Sequence, residues 1–199
     1  ARGRRGAFLP VPDVQVDKIT RSELAEYKRF CDFYQAQWGR MDPIIAGIKR
    51  MPDVKVVVLT NSSTLTGRGN GRDLLQADIV VPSLDAVTDP VFARVNRPHP
   101  GLTAEKITDG LVRFRRRFKG QIWLEVMLVR GINDGPAHLR ALRKAVDRIR
   151  PDRVQINTVV RPPAVKSARP LEAADLERVR GILGPTAEII AMEKAMLDR

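Results

Sequence analysis

The chain has 199 residues, enough for one domain with an appendage and for a real hydrophobic core. A hydrophobic content of 43% and a charged content of 29% exclude wholesale disorder. One cysteine excludes a disulfide framework and any cysteine-only zinc or iron–sulfur site held by this chain alone, while a net charge of +12 favours a polyanionic partner or simple solubility.

No apolar run approaches the roughly 18–20 residues that a bilayer span needs. The basic start, Ala1 to Ala7, has no long apolar stretch behind it and does not read as a signal peptide. The expectation is a soluble cytoplasmic protein. Because the first residue is Ala1 rather than Met, a processed product or a fragment is also expected.

Residues 1–21 read as an irregular arm with Arg2, Arg4, Arg5, Pro10 and Pro12. A helix follows over 22–38, with Ser22 as N-cap and one apolar stripe at Leu24, Tyr27, Cys31, Tyr34 and Trp38. A buried, inert thiol is the ordinary reading of Cys31 on that stripe. Beyond it the chain alternates. A short helix over 43–50 leads into an apolar run at 54–60. A weak helix over 72–76 leads into 79–82. A strong helix over 103–119, capped by Thr103, buries Ile107, Leu111, Phe114 and Phe118 and leads into 122–129. A helix over 136–149, with its stripe at Leu139, Leu142, Val146 and Ile149, leads into 154–157. The last helix, over 171–183, leads into 187–191.

Five short strands rich in Val and Ile, each preceded by a helix, predict an α/β fold with a parallel sheet. Right-handed crossovers allow a doubly wound open sheet or a whole or partial (β/α) barrel. Both place function at the carboxyl ends of the strands. Those ends carry Asn61, Ser62 and Ser63; Ser83 and Asp85; Glu125, Arg130 and Asn133; and Asn157, Thr158 and Arg161. Singly, each reads as a loop former or a helix cap. Converging on one rim, the set favours a ligand site.

Other motifs say less. Thr66 to Arg72 runs Gly-x-Gly-x-Gly, which matches neither the dinucleotide fingerprint nor a P-loop, and reads as a flexible loop. His138 falls on the expected outer face of its helix and reads as solvated. His99 lies in a stiff Pro-rich loop with no nucleophile nearby. Arg113, Arg115, Arg116, Arg117 and Lys119 crowd five cations into seven residues. A solvated helix end is the plain reading, and a surface for RNA phosphates is the functional one.

The strand-end segments carry a family resemblance. Val57 to Leu65, Ala77 to Ala86, Phe92 to Pro98, Ile122 to Asp134 and Arg153 to Pro163 resemble radical S-adenosylmethionine (SAM) enzymes. The branch is that of iron–sulfur oxidoreductases similar to wyosine-type tRNA-modifying enzymes. The resemblance covers roughly residues 44–191. It implies a partial (β/α) barrel that binds SAM against a [4Fe-4S] cluster at the strand C-termini. By position, it places Asn61, Ser83, Asp85, Asn133, Asn157 and Arg161 near SAM. It also implies iron–sulfur chemistry and tRNA modification.

The departure is equally plain. The family holds its cluster with Cys-x3-Cys-x2-Cys. Counting from Cys31, the other two places fall on Gln35 and Trp38, and the Gly-Glu-Pro-type segment reads Gly39 to Pro43 instead. Residues 1–43 are therefore expected to stand apart from a barrel part over 44–199. The cluster would come from a missing N-terminal segment or another chain. The leading expectation is an incomplete radical SAM-like oxidoreductase domain; the alternative is a cluster-free α/β protein binding RNA through its basic surface. A phosphate-sugar enzyme is a weaker third. A five-stranded unclosed sheet has two open edges, for which the 22–38 helix or a homo-oligomer is the expected cover.

Overall fold

The computed structural model describes residues 41–67, 71–163 and 165–190. The arm over 1–21 and the helix expected over 22–38, including Cys31, lie outside the described residues. The elements are α1 (Met41–Ile48), β1 (Val57–Thr60), β2 (Ile79–Pro82), α2 (Asp89–Asn96), α3 (Ala104–Arg117), β3 (Gln121–Leu128), α4 (Pro136–Ile149), β4 (Arg153–Thr158), α5 (Ala173–Leu183) and β5 (Ala187–Ile189). Two 3-10 turns, Ser63–Leu65 and Arg72–Leu74, link β1 to β2.

All five strands are parallel and lie in the order β1-β2-β3-β4-β5. Spatial order that repeats sequence order, with right-handed crossovers, winds the sheet one way and keeps the helices on one face. The burial of β3 shows the two faces. Ile122, Leu124, Val126 and Leu128 are buried under the helices, whereas Trp123, Glu125 and Met127 are half-buried on the other side. This is the partial barrel, not the doubly wound sheet.

Helix faces follow the expected stripes. In α3, Ile107, Leu111 and Phe114 are buried, and the Phe114 ring stacks on Phe118 with centroids 4.9 Å apart. Thr103 caps this helix by accepting a hydrogen bond from the Lys106 N–H at 3.1 Å. Gly110 lets α3 close on the first 3-10 turn, because a Cβ there would sit 2.6 Å from the Leu65 carbonyl oxygen. Gly71, at φ +77°, turns the chain into the second 3-10 turn where a side chain would meet Leu65 and Phe114.

Four differences have physical reasons. The run at 54–60 forms a regular ladder only from Val57, since the Val56 N–H goes to the Asp78 carboxylate and its carbonyl accepts from both the Asp78 and Ile79 N–H groups. The weak helix over 72–76 is a single 3-10 turn. The helix α2 was not anticipated, although Thr88 at its N-cap and Pro90 in its first turn mark its start. His138 is buried, 8% exposed, rather than solvated. It continues the α4 stripe at spacing 4, 3, 4 through Leu142, Ala145 and Ile149.

The edge strand β1 leaves Val57 at 45% and Leu59 at 68% exposure on the open face. The helix expected to cover an edge is not among the described residues. Among the described residues, no helix is long and apolar enough to cross a membrane.

Candidate functional site

The strands end in a rim that faces one pole of the molecule. At β1 the chain turns sharply, because Ser62 takes φ +67°, a left-handed conformation that costs a non-glycine residue about 1–2 kcal/mol. The turn is held by hydrogen bonds. The buried Ser62 donates its hydroxyl to the Ser83 carbonyl at 2.7 Å and its N–H to Thr60 Oγ1 at 3.2 Å. Asn61 is exposed, and its Oδ1 accepts from the Ser63 N–H and hydroxyl at 3.1 and 2.7 Å.

On the open face, three strands bring polar side chains together around Glu125 of β3. Ser83, just past β2, donates its hydroxyl to Glu125 Oε2 at 3.5 Å. Asn157 of β4 donates Nδ2 to Glu125 Oε1 at 3.3 Å. Both contacts are long, so the half-buried carboxylate is loosely held. The registers explain the meeting: Ser83 bridges Glu125, and Asn157 pairs with Met127, two residues along and on the same face.

Glu125 is the residue that sequence reasoning left out of the SAM-contact set. Its signal was a carboxylate inside an otherwise apolar strand run, a position that asks for a reason.

Asp85 and Asn133 do different work. Pro82 has no N–H, and the β2–β3 ladder lapses between Val80 and Ser83. Asp85 continues it with its side chain: Oδ1 accepts the Met127 N–H at 2.9 Å, and Oδ2 accepts from Asn96 Nδ2 at 2.7 Å. Burial pushes the Asp85 carboxyl above its ordinary range, opposed by these two donors and aided by the Glu125 charge. Asn133 is 0% exposed. Its Oδ1 accepts the Val129 N–H at 2.7 Å, and its Nδ2 donates to the carbonyls of Met127 and Asp85 at 2.7 and 2.9 Å. A fully engaged amide leaves nothing to offer a ligand, so Asn133 shapes the rim through the backbone it holds.

Arg161 is exposed at the margin. Arg130 is engaged with α5, through Glu172 at 3.1 Å, Asp175 at 3.3 Å and the Pro170 carbonyl at 3.0 Å. Thr158 is buried and ties β4 to its neighbours, donating to the Leu128 carbonyl at 2.8 Å. Neither ring nitrogen of the buried His138 has a hydrogen-bond partner among the described residues. Burial holds its pKa below the usual value, opposed in part by the Asp85 backbone. Among the described residues, no group of three or more His, Cys, Asp or Glu could hold a metal ion.

Two of the five cations on and after α3 are engaged inside the protein. Arg113 donates to the Thr66 carbonyl at 2.8 Å, and Arg115 pairs with Asp152 at 2.7 Å. Arg116, Arg117 and Lys119 are exposed. Residues 68–70 of the glycine-rich loop lie outside the described residues.

No protein-family model matches the chain. It is 39% identical over 137 residues to a protein named GTPase Obg from Brachyspira hyodysenteriae, a match taking 69% of this chain and 20% of that one. It is 29% identical over 145 residues to a UPF0026 protein of Methanocaldococcus jannaschii, covering 73% of this chain and 44% of that protein. With a UPF0026 protein of Helicobacter pylori it shares 33% identity over 116 residues, covering 58% and 37%. The chain thus spans less than half the length of each of these curated relatives.

Among solved structures, a domain of pyruvate-formate lyase-activating enzyme from Bacteroides vulgatus superposes with a TM-score of 0.59 at 12% identity, covering 76% of this chain and 92% of that one. A radical SAM methyltransferase from Sphaerobacter thermophilus superposes with a TM-score of 0.54 at 20% identity, covering 68% and 40%. At such identities the likeness is one of fold, a parallel α/β sheet with helices.

Proposed function

We propose that this chain is the ligand-holding part of a radical SAM-type oxidoreductase, and that its strand C-terminal rim binds S-adenosylmethionine. The observation that carries this reading is the Glu125 carboxylate on the open face of a radical SAM-like fold, held among the described residues by long contacts from Ser83 and Asn157. SAM presents a sulfonium cation, an amino group and ribose hydroxyls. A loosely held carboxylate suits the cation, and a hydroxyl and an amide that can release it suit the ribose. Asn61 and Arg161 stand exposed at the margins to meet the polar ends of the ligand. Asp85 and Asn133 keep the ends of β2 and β3 in place.

The cluster does not fit this chain. A [4Fe-4S] site open to SAM takes three thiolates, and Cys31 is the sole cysteine. No radical step is assigned to these residues. We place the cluster ligands on polypeptide outside this sequence. The GTPase name stays with that relative, since no glycine of this chain is followed by lysine as a P-loop requires.

Calorimetric titration with SAM and with S-adenosylhomocysteine, which lacks the sulfonium charge, tests the reading. Saturable binding of one SAM per chain is expected. Glu125→Gln is expected to weaken SAM by about tenfold, roughly 1.4 kcal/mol, and the ligand without the sulfonium charge much less. Absence of saturable binding, or equal loss for both ligands, contradicts it.

A further inference from the structure

The opposite pole, where the strands begin, carries a second feature. Helices in βα units run against their strands, so the last turns of α3 and α4 meet the starts of β1 to β4 there. Between them lies a cleft of about 310 Å³ lined by Lys55, Asp78, Arg115, Lys119, Gln121 and Asp152. Both of its aspartates serve the fold. Asp78 accepts the Val56 N–H at 2.8 Å and pairs with Lys49 at 2.5 Å. Asp152 accepts the Ile122 N–H at 2.7 Å and pairs with Arg115 at 2.7 Å.

With those carboxylates engaged, Lys55 and Lys119 have no ion-pair partner among the described residues, although both are exposed and line the cleft. Arg116 and Arg117 on the last turn of α3, and Arg150 two residues before Asp152, are exposed and equally unpaired among the described residues. The negative end of a helix dipole accounts for cations on a last turn. It does not account for Lys55 and Lys119, which lie outside the helices.

We infer that this pole is a docking surface for the phosphate backbone of RNA, centred on Lys55 and Lys119 and flanked by Arg116 and Arg117. Single cations spread around a polar cleft, none of them in an ion pair among the described residues, match a chain of monoanions spaced along a polymer. Arg113 and Arg115 lie outside this set because the fold already uses them. The surface is separate from the rim and stands whether or not the rim binds SAM.

The test is binding of a labelled single-stranded RNA to the full chain, by fluorescence anisotropy, at about 50 and about 200 mM salt. Four phosphate contacts predict a loss of roughly 50-fold in affinity across that range. Lys55→Gln with Lys119→Gln should lower the slope of log affinity against log salt by about 1.4, and Arg116→Gln with Arg117→Gln by a similar amount. The control, Arg140→Gln with Lys144→Gln, removes the same charge from exposed positions earlier on α4 and should leave the slope in place. Thermal melts of all three variants check that the fold is intact. Salt-insensitive or undetectable binding overturns the inference. So does a control pair that flattens the slope as much as the pole pairs, or displacement of RNA by polyglutamate of equal charge. SAM titration of the pole variants should match the parent chain, which separates this surface from the rim.

Discussion

The two poles of the sheet use the same device with opposite electrostatics. At the starting pole, Asp78 accepts a strand N–H and pairs with Lys49, which holds its carboxyl below the ordinary value. At the finishing pole, Asp85 also accepts a strand N–H, from Met127, but its other partner is the neutral Asn96 amide. Burial without a cation pushes that carboxyl up. One pole neutralises its carboxylates and leaves cations outward. The other holds Asp85 and Glu125, which have no cation partner among the described residues, and that is where a cationic ligand would gain most.

The largest effect is expected from breaking the finishing pole at Asn133. Asn133→Ala removes three buried hydrogen bonds and strands the Val129 N–H, at a cost of about 3 kcal/mol. Chemical denaturation measures it. A loss near zero would mean that the rim does not depend on this amide.

The two aspartates should answer pH in opposite directions. Asp85, with its pKa raised, favours folding at low pH, and that contribution is lost as pH rises from about 3.8 through its folded pKa. Asp78, with its pKa lowered, contributes above about 3.8, and the contribution is lost as pH falls through its folded pKa. At neutral pH Asp78→Asn should therefore lower stability relative to the parent, whereas Asp85→Asn should not lower it and should raise it by up to about 1 kcal/mol. Curves that shift together would dissolve the contrast between the poles.

His138 sharpens the same contrast. Its pKa is lowered by burial, so its neutral form supports the fold above about 6.5 and stability falls as pH drops from there toward the folded pKa. His138→Phe removes two unpartnered nitrogens. It should be neutral or stabilising at pH 7 and should flatten the decline below pH 6.5. The smallest effect is expected at Ser62→Gly, where relief of a left-handed φ offsets loss of the bond to the Ser83 carbonyl. A net change within about 1 kcal/mol in thermal unfolding fits both observations.

Periodicity carried most of the architecture. The stripes of α3 and α4 are plain because burial follows 3.6-residue spacing, β3 alternates at 2, and β2, buried at all four residues, reads as a continuous apolar run. The helix α2 was missed because its apolar content is thin: only Phe92 is fully covered. His138 was misread because polarity outweighed its place on the α4 stripe.

The rim was legible as a list but not as a division of labour. That Asn133 is engaged internally while Glu125 is loosely held depends on strand register, which no single segment encodes. Likewise, the crowding of cations at 113–119 was visible. Which of them the fold uses depends on Thr66 and Asp152, far away in sequence.

Hydrogen exchange of the full chain, read segment by segment with SAM and then with RNA, tests the division between the poles most directly. Added SAM should slow exchange at 61–63, 83–86, 125–129 and 157–161 and leave 115–121 alone, whereas RNA should slow exchange near 55 and 115–121 and leave the rim alone. Protection of the same segments by both ligands, or of neither set, contradicts it.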